Sequence, residues 1–292
     1  YLVYRKDVFQ WKTFQMDTLG PFKKNLMRIL KTLLGISFTL IFCYNCKNNS
    51  NTPENNIKNK WIKLFNGKDL SDWTIKIKGR PVEENYNNTF IVEDGVIKVN
   101  YKAYDSFNNA FGHIFYKKPF SNYKFKMDYR FTGEQILGGR PWALRNSGVM
   151  IHCEDPKKIG LNQNFPVSIE VQLLGGLGSG ERSTGNLCTP GTHVTINNEQ
   201  ITSHCIKSTS KTYHGEQWVS MEIEVRHDSI IKHIINGNEV MTYSKPVLGG
   251  EVDFNEDYWK DKEGKPLTSG YISLQSESHP VEFKDIEIFN LD

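Results

Sequence analysis

Tyr123-Lys124-Phe125-Lys126-Met127-Asp128-Tyr129-Arg130-Phe131 puts an apolar side chain at every odd position and a charged one at every even position. That period of two belongs to a β-strand with one face in a core and the other in water. Val219-Ser220-Met221-Glu222-Ile223-Glu224-Val225-Arg226 repeats the pattern. Asp94-Gly95 and Asn236-Gly237 each stand between two apolar runs and carry the chemistry of a two-residue hairpin turn. From Trp61 onward Gly, Asn, Asp or Pro interrupts the chain about every ten residues, as in an all-β protein. No stretch shows a helical stripe. The expectation is a β-sandwich or barrel of antiparallel strands.

Composition fits such a fold. Of 292 residues, 38% are hydrophobic and 24% charged, which excludes a disordered tail, a collagen and a multi-pass membrane protein. The formal charge of +3 is unevenly spread. Residues 1–45 hold seven of the 36 Lys/Arg and two of the 33 Asp/Glu, leaving 29 against 31 in the body. A nearly neutral body has no basic face to displace counterions, so no nucleic-acid partner is expected.

Arg28 and Lys31 lead into an apolar run from Leu33 to Phe42, followed by Cys43, Cys46 and an Asn-rich stretch to Lys60. The run is too short to anchor across about 30 Å of hydrocarbon. Residues 27–46 resemble a bacterial lipoprotein signal with lipid on Cys46 or, less well, Cys43. Residues 1–26 then precede the start, 47–60 form a flexible tether, and 61–292 form one sandwich domain. The expected location is the bacterial periplasm or outer membrane, with lipid as the only membrane contact. An oxidising compartment permits a Cys188–Cys205 bridge, which leaves Cys153 as a buried thiol.

Three strands have polar faces of unusual chemistry. In Ser168-Ile169-Glu170-Val171-Gln172-Leu173 the apolar residues face the core, and Glu170 and Gln172 share the other side. In Tyr271-Ile272-Ser273-Leu274-Gln275-Ser276-Glu277 the outward set is Ser273, Gln275 and Glu277. In Asn146-Ser147-Gly148-Val149-Met150-Ile151-His152 it is Asn146, Met150 and His152. Amides, carboxylates and a histidine replace the usual Lys and Arg of a solvated face. They suit a hydroxyl-rich ligand, because each buried hydroxyl needs a partner.

Trp61-Ile62-Lys63-Leu64-Phe65-Asn66-Gly67-Lys68-Asp69-Leu70-Ser71-Asp72-Trp73, the Asn146-Ser147-Gly148-Val149 segment and Ser168 to Gly176 occur in an order that resembles the 3-keto-disaccharide hydrolase domain family. Thr189-Pro190-Gly191-Thr192-His193, Gly270 to Gln275 and Val281 to Ile286 extend the resemblance over Trp61 to Leu291. It implies a concanavalin A-like jelly-roll sandwich of two antiparallel sheets, one concave face of which handles carbohydrate. It also implies cleavage of sugars oxidised at C3, by hydrolysis or by elimination and hydration.

A 3-keto group acidifies the C2 proton, so such a site needs a base near C2, an acid near the glycosidic oxygen and a donor for the enolate oxygen. Glu170 and Glu277 can supply acid and base, in this scheme or in direct glycoside hydrolysis. His193, in the Pro190-Gly191-Thr192-His193 turn, is the expected catalytic histidine. Trp142, Arg145, Asn146, His152, Gln172 and Gln275 are expected to bind substrate, Trp142 by stacking. The eight histidines allow a divalent metal but show no diagnostic spacing. Gly175-Gly176-Leu177-Gly178-Ser179-Gly180 lacks the GK[ST] of a phosphate loop and reads as a strand connection. The alternative function is a non-catalytic carbohydrate-binding module on the same sandwich. A laminarinase-type glucanase fits less well, since Gln172 stands where a second carboxylate is wanted.

Overall fold

The computed structural model describes residues 60–252 and 254–292. The expected upstream extension, the signal segment with Cys46, and the tether apart from Lys60 lie outside the described residues. The strands begin with β1 (Ile62–Lys63), β2 (Trp73–Ile77), β3 (Phe90–Glu93), β4 (Val96–Val99), β5 (Gly112–Tyr116) and β6 (Asn122–Phe131). Next come β7 (Asn146–Cys153), β8 (Ile169–Leu174), β9 (Asn186–Cys188), β10 (Thr192–Ile196), β11 (Glu199–Ile201) and β12 (Cys205–Ile206). The last are β13 (Val219–Arg226), β14 (Ile230–Ile235), β15 (Asn238–Leu248), β16 (Tyr271–Ser276) and β17 (Val281–Asn290).

They form two antiparallel sheets. The larger runs β11-β10-β15-β14-β13-β6-β17-β4-β3 with β1 beside β17, and the smaller runs β12-β9-β8-β7-β16-β5-β2. The odd residues of β6, from Tyr123 to Phe131, are all buried and share one core with Ile169, Val171, Leu173, Ile272 and Leu274 of the smaller sheet. Burying each such side chain stabilises the sandwich by about 1.5–3 kcal/mol. The even residues of β6 pair with neighbouring strands: Lys124 with Glu224 at 3.2 Å and Lys126 with Glu287 at 2.9 Å. These half-buried pairs add modest energy but favour the register in which the apolar face is buried.

Both hairpin signals are realised. Asp94 and Gly95 have φ of 55° and 75°, and Asn236 and Gly237 have 46° and 77°, so both central residues of each turn are left-handed. That backbone matches the twist of the flanking strands. Cys188 and Cys205 are bonded and sit opposite each other in β9 and β12, while Cys153 is free and buried. With 17 residues of separation, the bridge should contribute about 3 kcal/mol by loop closure. A Cys188→Ala/Cys205→Ala variant should therefore melt several degrees lower, and an unchanged melting temperature would refute that contribution.

Candidate functional site

β8 supplies the first half of the site. Its apolar residues are sunk in the core, so Glu170 and Gln172 project from the outer face of the seven-stranded sheet. Glu170 stands opposite Met150 of β7 and Cys188 of β9, and Gln172 opposite Gly148 and Asn186. Gly148 has a specific use. A Cβ there would lie 2.5 Å from Glu170 Oε1 and 2.9 Å from its Cγ, so the glutamate side chain crosses the glycine.

β16 supplies the second half. Ile272 and Leu274 point inward, which leaves Gln275 on the outer face opposite His113 of β5. Glu277 follows the end of the strand and is fixed by its neighbour. Ser278 has a left-handed φ of 84°, its N–H donates to the Tyr101 hydroxyl at 2.8 Å, and its carbonyl accepts from Ile136 N–H at 3.0 Å. Glu170 and Glu277 thus reach one cavity of about 360 Å³, with Asn146, Gln172, Trp142 and Phe165 in its wall. The Trp142 ring is 53% exposed and stacks at 12° on Phe111, so it offers a flat apolar surface at the rim.

Both carboxyls are shifted upward. Burial pushes the Glu170 pKa up, and burial together with the charge of Glu170 pushes that of Glu277 well above the usual carboxylate range. Two buried carboxyls that face one cavity cannot both ionise cheaply, so both hold their protons more tightly than an exposed glutamate does. Around them several buried polar atoms have no partner among the described residues. Glu277 Oε2 and Asn146 Oδ1 belong to the cavity wall, while His113 Nε2 and both amide atoms of Gln275 lie on the paired strands β5 and β16 outside its lining. Buried polar atoms in folded proteins are normally satisfied, and a sugar offers both donors and acceptors. His113 is kept neutral, its pKa pushed down to about 3 by burial and by the charge of Lys76. The Lys76 ammonium, itself lowered by burial, donates to the carbonyls of Ile77 at 2.9 Å and Leu161 at 3.1 Å.

Three expected site residues go elsewhere. His152 does not share the face of Asn146. The β7–β16 register slips between Tyr271 and Ser273, His152 takes a left-handed φ of 47°, and its Nε2 meets the carbonyl oxygen of His227 at 2.9 Å. His227 follows β13 of the other sheet, so the bulge turns His152 between the layers. His193 lies in β10 of the larger sheet, beyond the left-handed Gly191, and lines a separate pocket with Gly249 and Gly250. Arg145, also left-handed, holds its guanidinium carbon 5.6 Å from the Phe131 ring centre and donates to the Gly215 carbonyl. The histidine in the cavity wall is His204, which immediately precedes the bridged Cys205. Among the described residues, no three His, Cys, Asp or Glu side chains converge as a metal-binding group.

The two antiparallel sheets form a sandwich of the concanavalin A, or jelly-roll, type, with this cavity on the outer face of the smaller sheet. The chain belongs to the family of 3-keto-alpha-glucoside-1,2-lyase-like domains, whose model matches residues 60–289. Among solved structures it is similar to two candidate glycosyl hydrolases from Parabacteroides distasonis. One is 22% identical over 84% of this chain and 100% of that chain (TM-score 0.49), the other 20% identical over 80% and 100% (TM-score 0.48). A carbohydrate-binding module, CBM66 of Bacillus subtilis, is 10% identical over 75% of this chain and 95% of its own, with a TM-score of 0.42. No curated protein matches the chain.

Proposed function

We propose that this protein cleaves 3-keto-glycosides, with Glu170 and Glu277 as its acid–base pair. The supporting observation is their shared burial in one cavity, which raises the pKa of both carboxyls toward the range of a general acid and base. The ionised member takes the C2 proton, and the electron pair moves into the C3 carbonyl as an enolate. The enolate collapses, the C1–O bond breaks, and the protonated member delivers its proton to the departing oxygen. The products are an alcohol and a 1,2-unsaturated 3-keto sugar; addition of water at C1 and a proton at C2 completes a net hydrolysis. The Gln275 amide N–H is the donor suited to the enolate oxygen, and Trp142 to one face of the ring.

Incubation with 3-keto-trehalose and aryl 3-keto-glucosides, with and without EDTA, followed by mass spectrometry, tests the reading. Cleaved sugar, with or without added water, is expected in both arms. Tight binding with no cleavage would favour a carbohydrate-binding module instead. The profile of kcat/KM against pH should be bell-shaped, because the base is lost when both carboxyls are protonated and the acid when both are ionised. A rate that is flat from pH 4 to 10 would contradict the acid–base pair.

The location follows as a separate proposal: the mature protein is held at the bacterial envelope by lipid on Cys46. A Cys46→Ala variant should leave the membrane fraction, and one that stays there would exclude this anchor.

A further inference from the structure

The outer face of β8 continues past Gln172 to Leu174, which lines a second, larger cleft of about 840 Å³. Asn186 joins the two: its Nδ2 donates to Gln172 Oε1 at 3.0 Å, and its side chain also lines this cleft. From Glu170 to Leu174 the strand advances about 13 Å, so a ligand longer than one sugar ring would reach both cavities.

The cleft is cationic. Arg182, Lys207 and Lys211 line it against one acid, the exposed Glu181. Neither lysine has an ion-pair partner among the described residues. The Arg182 guanidinium donates to carbonyls, Gly175 O at 2.7 Å and Arg145 O at 3.3 Å, and meets no carboxylate. Behind it stands Arg145, whose buried Nε has no partner. His279, only 2% exposed, has both ring nitrogens unpartnered and lies close enough to both arginines to feel their charge. Glu216, the acid that bears on Arg145, is exposed and accepts the Gly133 N–H at 2.6 Å. Partly buried guanidinium groups without a carboxylate are costly, and an anion is the ligand that offsets the cost.

We propose that this cleft is a second subsite that takes an anionic sugar residue, carboxylated or sulfated, joined to the sugar held at Glu170 and Glu277. The proposal rests on reading the first cavity as a carbohydrate site. Lys207 and Lys211 pair with the anionic group, Arg182 adds a third positive charge, and Asn186 holds the linkage between the two cavities.

The test is calorimetric binding of three disaccharides to the full chain: glucosyl-glucose, its glucuronic-acid counterpart and its 6-sulfated counterpart. At about 0.02 M salt at least one anionic ligand should bind about tenfold tighter than the neutral one, the value of one charge-assisted contact. The advantage should fall below about twofold at 0.5 M salt. It should fall equally in a Lys207→Met/Lys211→Met variant, whose turnover of a neutral 3-keto-glucoside stays at the wild-type rate. Equal affinity for all three, no binding of any, or an advantage that survives in the variant overturns the proposal. Which anionic ligand is preferred distinguishes carboxylate from sulfate. Turnover of neutral 3-keto-glucosides without anionic preference would sink this subsite alone; preference without turnover would sink the catalytic reading alone.

Discussion

Glu170→Gln is expected to lower turnover of a 3-keto-glycoside by about 10²–10⁴-fold, the range for losing a positioned acid or base. The substitution keeps size and hydrogen-bonding capacity, so affinity for the sugar should stay within about tenfold, or roughly 1.4 kcal/mol. Glu277→Gln should fall in the same range, and the double variant little lower, because an acid and a base that serve one reaction work as a unit. Stability should move in the opposite sense. Burial raises the Glu170 pKa in the folded state, so folding holds a proton that the unfolded chain releases, and stability falls as pH rises above the ordinary carboxylate range. Glu170→Gln removes that ionisation and should be more stable than wild type at pH 8, by on the order of 1–3 kcal/mol, with little difference at pH 4. Paired kinetic and denaturant measurements check both halves. An active, unstabilised Glu170→Gln would refute the assignment.

Gly148→Ala should cost about 10²-fold in turnover without unfolding the protein. The position lies in β7 with no left-handed φ, so alanine meets no backbone strain, but its methyl would stand 2.5 Å from Glu170 Oε1 and 2.9 Å from Cγ. The glutamate must move aside, and a misplacement of about 1 Å suffices for a loss of that size. Adding Glu170→Asp withdraws one methylene from the collision and should recover part of the rate in the Gly148→Ala background. Melting curves for the single variant should stay close to wild type. Full activity in Gly148→Ala would mean that the observed Glu170 position is not the working one.

The fold and the carboxyl pair were legible because their strands alternate. In β6, β8 and β16 the two faces differ in chemistry, so parity alone places Glu170, Gln172, Gln275 and Glu277 on one side. Parity fails at a bulge, and His152 sits in one that its neighbours do not signal. It also says nothing about where a turn delivers the chain. The left-handed Gly191 passes His193 to the other sheet, although Cys188, a few residues earlier, belongs to the site. His113 was obscured for the opposite reason. Every residue of β5 is buried, so Gly112 to Tyr116 offers no alternation to read. His204 had a usable signal: bridging Cys205 to Cys188, the β9 partner of Glu170, brings its neighbour to the cavity.

The acid–base account requires removal of the C2 proton before the C1–O bond breaks. Cleavage of 3-keto-trehalose in D2O, with C2 of the released sugar followed by NMR, measures that step directly against an enzyme-free control for spontaneous exchange. The account predicts that deuterium appears at C2 of every hydrated product molecule, at the rate of cleavage, and that Glu170→Gln slows both by the same factor. Cleavage that retains the original hydrogen at C2 would contradict it and assign the carboxyl pair to direct displacement at C1.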